Sequence, residues 1–183
     1  MIKGQNVNLH SIEQEDLEKV YEILMNDEIG SCFTTTHQEI RFSGLVKFLH
    51  TTEEGTVSKV FTIKDKDRII GFITLNNIHS IRQSAYIGVV CIDPKEQGSM
   101  KGVEALKLLI DYAFNNLNLH RIYGHTFSNN PVMTNLYTKY GWRSEGVKKE
   151  FVKVNNEWLD RKDWAVLDYE WREFWGDKDL YEI

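Results

Sequence analysis

Two prolines and two cysteines are all that this chain of 183 residues contains, and each scarcity closes off a class of protein. So little proline excludes Pro-rich linkers and polyproline recognition tracts. Two thiols, Cys32 and Cys91, cannot form the dense disulfide framework of a small secreted domain. Cys91 lies in an apolar run and reads as a small buried hydrophobe. No apolar run reaches the roughly 18 residues that a membrane span needs. The opening MIKGQNVNLHSIE interrupts its apolar residues with Lys, Gly, Gln and Asn, unlike a secretory leader. These traits predict a reducing, cytoplasmic setting and no membrane partner. Basic charge is short as well: 22 Lys and Arg face 27 Asp and Glu, for a net charge of −5. Nucleic-acid binding calls for a basic stripe, so no nucleic-acid partner is expected. A cationic substrate is mildly favoured.

What the chain does have is apolar and aromatic residues. Hydrophobic types make up 42%, with 5 Trp, 8 Tyr and 9 Phe, enough for one core, and a single domain over residues 1–183 is expected. Residues 6–12 alternate as a strand, and 13–30 carry Leu17, Val20, Tyr21 and Leu24 at helical spacing, with Gly30 as a stop. A polar loop, 31–36, leads to a second helical pattern over 37–55. Runs at 57–64, 68–78 and 85–93, joined by short polar turns such as KDKDR, read as an antiparallel meander. Residues 102–119 form the clearest amphipathic helix, followed by a strand over 121–127 and a helix over 130–141. In that last helix Asn130 is the N-cap candidate, Pro131 sits in the first turn and Gly141 ends it. Residues 144–171 read as two strands about an Asn-Asn-Glu turn. The order β-α-α-β-β-β-α-β-α-β-β is a mixed α+β fold.

Two places carry chemistry. In CIDPKEQGSMKG, residues 91–102, a strand ends, two glycines follow and a helix begins. A helix N-terminus offers unpaired N–H groups and partial positive charge, and glycine lets more amides converge, which suits phosphate. Gln97 adds a donor and Lys101 a cation. It is neither a Walker loop nor a dinucleotide fingerprint, and an ordinary strand-to-helix connection has the same look. The second place is NNPVMTNLYTKYGWRSEG. Asn130 and Tyr137 are seven apart, about two helical turns, and share a face. The Tyr137 phenol is a candidate proton donor to a leaving group. The structural alternatives are a helix cap for Asn130 and a core aromatic for Tyr137. His120 and His125 flank a strand and read as surface or partly buried side chains without metal partners. Trp158, Trp164, Trp171 and Trp175 read as core or subunit packing, which leaves a homo-oligomer open.

Taken together, these stretches resemble the GNAT superfamily of acyltransferases. Its central motif, Val-x-Pro-x-x-Arg/Gln-x-x-Gly-x-Gly/Ala, is met by Ile92, Pro94, Gln97, Met100 and Gly102. Its Asn-x-x-Ala-x-x-x-Tyr-x-x-x-Gly-Phe signature is met by Asn130, Tyr137, Gly141 and Trp142, with Met133 for Ala. The likeness spans nearly the whole chain and is greatest to the branch holding ribosomal-protein N-terminal and spermidine acetyltransferases. It implies a mixed, largely antiparallel sheet with a V-shaped splay between central strands, flanked by helices. Gln97, Gly98, Ser99, Met100, Lys101, Gly102 and Val103 would bind the pyrophosphate of acetyl-CoA, the cosubstrate. The backbone near Val90 and Ile92 would pair with the pantetheine arm, and Asn130 would hold the thioester end. Tyr137 would protonate the departing thiolate after direct attack by a primary amine. That acceptor would be a polyamine, an amino sugar or a protein N-terminus, and no metal is implied. A non-catalytic CoA-binding or scaffolding module is the alternative.

Two departures bear on that implication. Met100 stands for the motif's central glycine, at a cost of about 1 kcal/mol or more if its φ is positive. Tyr86 stands where many relatives carry Glu, and a phenol with reference pKa ~10 is a poor base at neutral pH. Deprotonation would then fall to water or to a carboxylate in the 26–30 loop, Asp27 or Glu28, with Tyr86 packing the substrate.

Overall fold

Alternating apolar side chains and short turns give strands β1 (Ile2–Lys3), β2 (Asn8–Ser11), β3 (Val57–Asp65), β4 (Arg68–His79), β5 (Ser84–Ile92), β6 (Arg121–Phe127), β7 (Arg143–Val154) and β8 (Glu157–Leu167). The helices are α1 (Leu17–Leu24), α2 (Leu45–Leu49), α3 (Lys101–Asn115), α4 (Pro131–Lys139) and α5 (Asp168–Trp175). The computed structural model describes residues 1–26, 41–49, 56–176 and 178–182. Within them the strands form one eight-stranded sheet, ordered β1-β2-β3-β4-β5-β6-β8-β7. Neighbouring strands are antiparallel except β5 and β6. A parallel pair needs a crossover, and α3 supplies it. The β7–β8 turn places Asn155 and Asn156 at φ 48° and 67°, which asparagine tolerates better than most residues.

The sheet buries both faces over its centre. On one face lie α3, α4 and α5, with Leu106, Leu109, Ile110, Tyr137, Trp164 and Trp171 in the larger core. On the other, α1 and α2 pack Val20, Leu24, Leu45 and Leu49 over Val60, Phe72 and Cys91. Cys91 is buried and outside any disulfide, as its apolar run suggested.

β5 and β6 pair only where Ser84, Ala85 and Tyr86 face Arg121, Ile122 and Tyr123. Beyond that, β5 stays with β4 up to Ile92 and β6 stays with β8 up to Phe127, so the two strands part. The cause lies in β5. Between the Leu75–Ile87 and Ile73–Val90 pairs, β5 has one more residue than β4, a bulge. Thr74 Oγ1 accepts the displaced Val89 N–H at 2.8 Å. Gly88 is required there because a Cβ would fall 2.3 Å from that oxygen. A bulge bends its strand, and the bend opens the V-shaped splay.

Some elements differ from the sequence-based expectation. Residues 168–171 were expected to extend the last strand, but Asp168–Trp175 is helix α5. Trp171 and Trp175 lie one helical turn apart and both are buried, and Glu170 Oε2 takes the Leu167 N–H at 2.9 Å. Burial of that pair outweighs the strand-like pattern before it. The 102–119 helix begins at Lys101 and ends at Asn115. The short edge strand β1 was not anticipated. Within the described residues, the first helical pattern is a 3-10 turn at Gln14–Asp16 followed by α1. Of the second, Phe42–Gly44 is a 3-10 turn and Leu45–Leu49 is α2. Residues 27–40 and 50–55, which include Gly30, Cys32 and the polar loop, lie outside the described residues. No helix among the described residues is long and apolar enough to cross a membrane.

Candidate active site

The turn after β5 opens with a 3-10 turn, Pro94–Glu96, whose Asp93 carboxylate accepts the Lys95 N–H at 3.1 Å. Gly98 (φ 79°) and Met100 (φ 64°) then take left-handed conformations and reverse the chain into α3. For Met100 this costs about 1–2 kcal/mol. Its side chain packs against the core, where the Tyr140 hydroxyl donates to Met100 Sδ at 3.8 Å, an anchor that offsets part of the strain. The methionine therefore points toward Tyr140. The first main-chain hydrogen bond of α3 runs from Glu104 N–H to Met100 O, at 2.9 Å. The amides of Lys101, Gly102 and Val103 precede it and form the unpaired helix start. At Gly102 a Cβ would lie 3.0 Å from Ile92 Cγ1, so that start is pressed onto the end of β5.

The Lys101 ammonium is not free for an anion. It lies 2.7 Å from Glu96 and 2.9 Å from Asp65, and Arg68 binds Glu96 at 2.6 Å. Hydrogen bonds to Glu96 and Asp65 raise the Lys101 pKa above that of an ordinary lysine. The Lys101 hydrogen bond lowers those of both carboxylates. The network ties the β3–β4 turn to the loop, and what Lys101 can offer a phosphate is its main-chain N–H.

At the splay, Val89 N–H and Asp93 N–H both point to β4, the latter bonding Ile70 O at 2.8 Å. Alternation along a strand directs the main-chain groups of Val90 and Ile92 to the opposite, open side. These groups form a main-chain edge that β4 does not use.

Tyr137 reaches the same opening from the helical face. Asn130 caps α4, its Oδ1 accepting the Met133 N–H at 3.1 Å, and Gly141 follows the helix at φ 81°. The Tyr137 ring is 2% exposed, 4.3 Å from the Trp142 ring and 5.8 Å from Trp164. Its hydroxyl lies against Gly124 of β6: a Cβ built there would sit 3.0 Å from that oxygen and 3.8 Å from Ile87 Cβ of β5. Gly124 and Ile87 each come one residue after the last β5–β6 pair, so the hydroxyl lies at the base of the splay. Burial pushes the phenol pKa far above its usual value, so the group keeps its proton. Tyr137 is thus a core aromatic whose hydroxyl lies at the cleft.

Tyr86 and His125 lie on the other sheet face, since their neighbours Ala85, Ile87, Ile122 and Gly124 face the helical core. The Tyr86 hydroxyl is 2.9 Å from His125 Nδ1, with the rings stacked at 5.6 Å. Burial raises the Tyr86 pKa to about 12 and lowers that of His125 to about 4; the Arg161 charge adds to the latter and Asp163 opposes it. Both side chains are neutral at physiological pH. Their pairing was missed in the sequence, although the face each occupies on its own strand was visible from strand alternation. Beside them is a cavity of about 350 Å³ lined in part by Arg121, Tyr123, Glu145, Arg161 and Asp163. Its charges are paired: Arg121 with Glu145, and Asp163 with Arg161 at 2.7 Å and Lys148 at 3.0 Å. His120 bonds Asp168 at 2.8 Å, and Trp158 is exposed while Trp164, Trp171 and Trp175 are core. Asp27 and Glu28 lie outside the described residues.

A family model described as acetyltransferase (GNAT) domain matches residues 9–162. The probable N-acetyltransferase YjcK of Bacillus subtilis is 31% identical over 179 residues, spanning 92% of this chain and 97% of that protein. The spermidine N(1)-acetyltransferase of Vibrio cholerae is 27% identical over 165 residues, spanning 90% of this chain and 94% of its own. A crystal structure of the Vibrio cholerae spermidine N-acetyltransferase in complex with CoA and spermine superposes with a TM-score of 0.79 at 27% identity, covering 91% of this chain and 98% of that one. With the splayed sheet, the turn before α3 and the phenol at the opening, these matches show that the chain belongs to the GNAT acetyltransferase family, as an acetyl-CoA-dependent N-acetyltransferase.

Proposed function

We propose that this enzyme transfers the acetyl group to its primary amine within a ternary complex assembled across the β5–β6 splay. The open main-chain edge at Val90 and Ile92 pairs with the pantetheine arm. The loop from Gln97 to Val103 binds the pyrophosphate through its amides, with Lys101 contributing its N–H and Met100 turned away toward Tyr140. Asn130 holds the thioester end by fixing the start of α4, and Tyr137 protonates the thiolate as the C–S bond breaks. The observation that carries this is the Tyr137 hydroxyl set against Gly124, one residue beyond the last β5–β6 pair. The phenol is protonated before reaction, so it has a proton to give as the thiolate leaves. Acetyl-CoA supplies the activated acyl group, and the protein supplies position and a water-poor cleft.

For the acceptor we favour a small amine of the polyamine class. Support comes from the spermidine N(1)-acetyltransferase of Vibrio cholerae and the CoA and spermine complex. A protein N-terminus is the second reading, favoured by the [ribosomal protein uS5]-alanine N-acetyltransferase of Escherichia coli, 27% identical over 108 residues that span 58% of this chain and 55% of that protein. Release of CoA thiol is to be followed with spermidine, glucosamine and an Ala-initiated tetrapeptide. Fastest turnover of spermidine is expected; preference for the tetrapeptide would favour the second reading. Absence of turnover with retained CoA binding would favour the non-catalytic alternative.

A further inference from the structure

We propose that His125, held by Tyr86, is the group that takes the proton the acceptor amine must give up. This rests on the acetyl-transfer reading and names the base it leaves open. Gly124, against which the Tyr137 hydroxyl lies, and Ile87, across the opening from it, are the chain neighbours of His125 and Tyr86. Strand alternation therefore puts the phenol donor and the imidazole on opposite faces of one opening. An amine approaching from the face opposite α3, α4 and α5 meets the acetyl carbon from the His125 side, while the sulfur's proton donor stands on the other.

The hydrogen bond between Tyr86 and His125 Nδ1, at 2.9 Å, fixes the ring. If Nδ1–H donates to the Tyr86 oxygen, the Nε2 lone pair is the free acceptor; among the described residues Nε2 has no partner. Tyr86 is thus a positioning residue. The amine lone pair forms the N–C bond as the C–S bond breaks. The thiolate takes the Tyr137 proton, and the surplus N–H proton passes to His125 Nε2. Solvent afterwards removes the proton from His125 and returns one to Tyr137, so charge and protons balance.

Other groups face the imidazole. Asp163 is its cross-strand partner on β8, Arg161 lies two residues further on the same face, and Lys148 of β7 binds Asp163. Burial and the two cations keep His125 neutral before reaction, with Asp163 opposing them. That low proton affinity is set against bulk water. The ammonium formed in the cleft is desolvated too, and transfer moves a charge without creating one, so burial penalises it little.

The test uses purified enzyme, acetyl-CoA and whichever of spermidine, glucosamine or the tetrapeptide the wild type turns over fastest. His125→Ala is expected to lower kcat by about 10²-fold or more, with acetyl-CoA affinity within about threefold. Added imidazole should restore at least about tenfold of that loss in His125→Ala and leave wild type unchanged. His125→Gln, which fills the space without a base, should lose as much and gain nothing from imidazole. Tyr86→Phe should show a smaller kcat loss, with acetyl-CoA affinity and thermal stability close to wild type. A His125→Ala enzyme with wild-type kcat, or one whose deficit imidazole does not relieve while acetyl-CoA still binds, overturns the assignment alone. A wild type that neither binds acetyl-CoA nor releases thiol overturns the parent reading and this one with it.

Discussion

Gly124→Ala probes the gap between the two splayed strands more sharply than any change to the tyrosine itself. The new methyl would stand 3.0 Å from the Tyr137 oxygen and 3.6 Å from its Cζ. The second distance is an ordinary contact; the first is not, so the hydroxyl must move by a few tenths of an ångström. The ring cannot follow easily, because Trp142 and Trp164 hold it. Overpacking of this kind costs about 1–3 kcal/mol, and we expect the low end because the clash involves one atom. Misplacing the donor should lower kcat by about 10-fold to 10²-fold, with acetyl-CoA affinity little changed. A double-mutant cycle isolates the contact. In Gly124→Ala with Tyr137→Phe the clashing oxygen is gone, so the pair should recover about 1 kcal/mol relative to the sum of the single changes. Chemical denaturation supplies the stabilities and thiol release the rates. Strictly additive stabilities, or an unchanged kcat in Gly124→Ala, would refute the placement of the hydroxyl.

Other expected outcomes follow from the same geometry. Met100→Gly should leave acetyl-CoA affinity within about threefold, because the side chain is anchored on Tyr140; a tenfold gain measured by titration calorimetry would mean the methionine crowds the phosphates. Gly102→Val should weaken acetyl-CoA binding by about tenfold or more by forcing α3 off Ile92, whereas unchanged binding would separate that contact from the phosphate site. For His125 the folded pKa, about 4, lies below the unfolded value of ~6.5. The unfolded state then binds the extra proton first, so this contribution to stability is present above pH 6.5 and is lost as pH falls toward 4. The melting temperature of wild type should therefore drop more between pH 7 and pH 5 than that of His125→Gln, and parallel curves would contradict the burial of the imidazole.

Several features were readable in the sequence because local physics sets them. The apolar stripe of α3, Asn130 and Pro131 at the start of α4, and Gly98 in the turn each announce themselves within a few residues. So do the meander and the Asn-Asn hairpin turn. Met100 was the reverse case: its left-handed conformation is invisible in a methionine and followed only from the motif it interrupts. The splay arises from a bulge, and Gly88 within a strand pattern was its only trace. α5 was misread because Trp171 and Trp175 are drawn inward by tertiary burial. Tyr86 and His125 meet through the β5–β6 pairing, 39 residues apart in sequence, and no local pattern reports a partner at that distance. Lys101 looked like a cation for phosphate until the turn brought Glu96 and Asp65 to it.

The role of the Tyr137 hydroxyl is tested most directly by Tyr137→Phe, with kcat measured at saturating acetyl-CoA and amine and the acetyl-CoA dissociation constant measured alongside. A proton donor at the base of the splay requires kcat to fall by about 10²-fold or more while acetyl-CoA binds as before. Turnover equal to that of wild type would show that the thiolate leaves without this phenol.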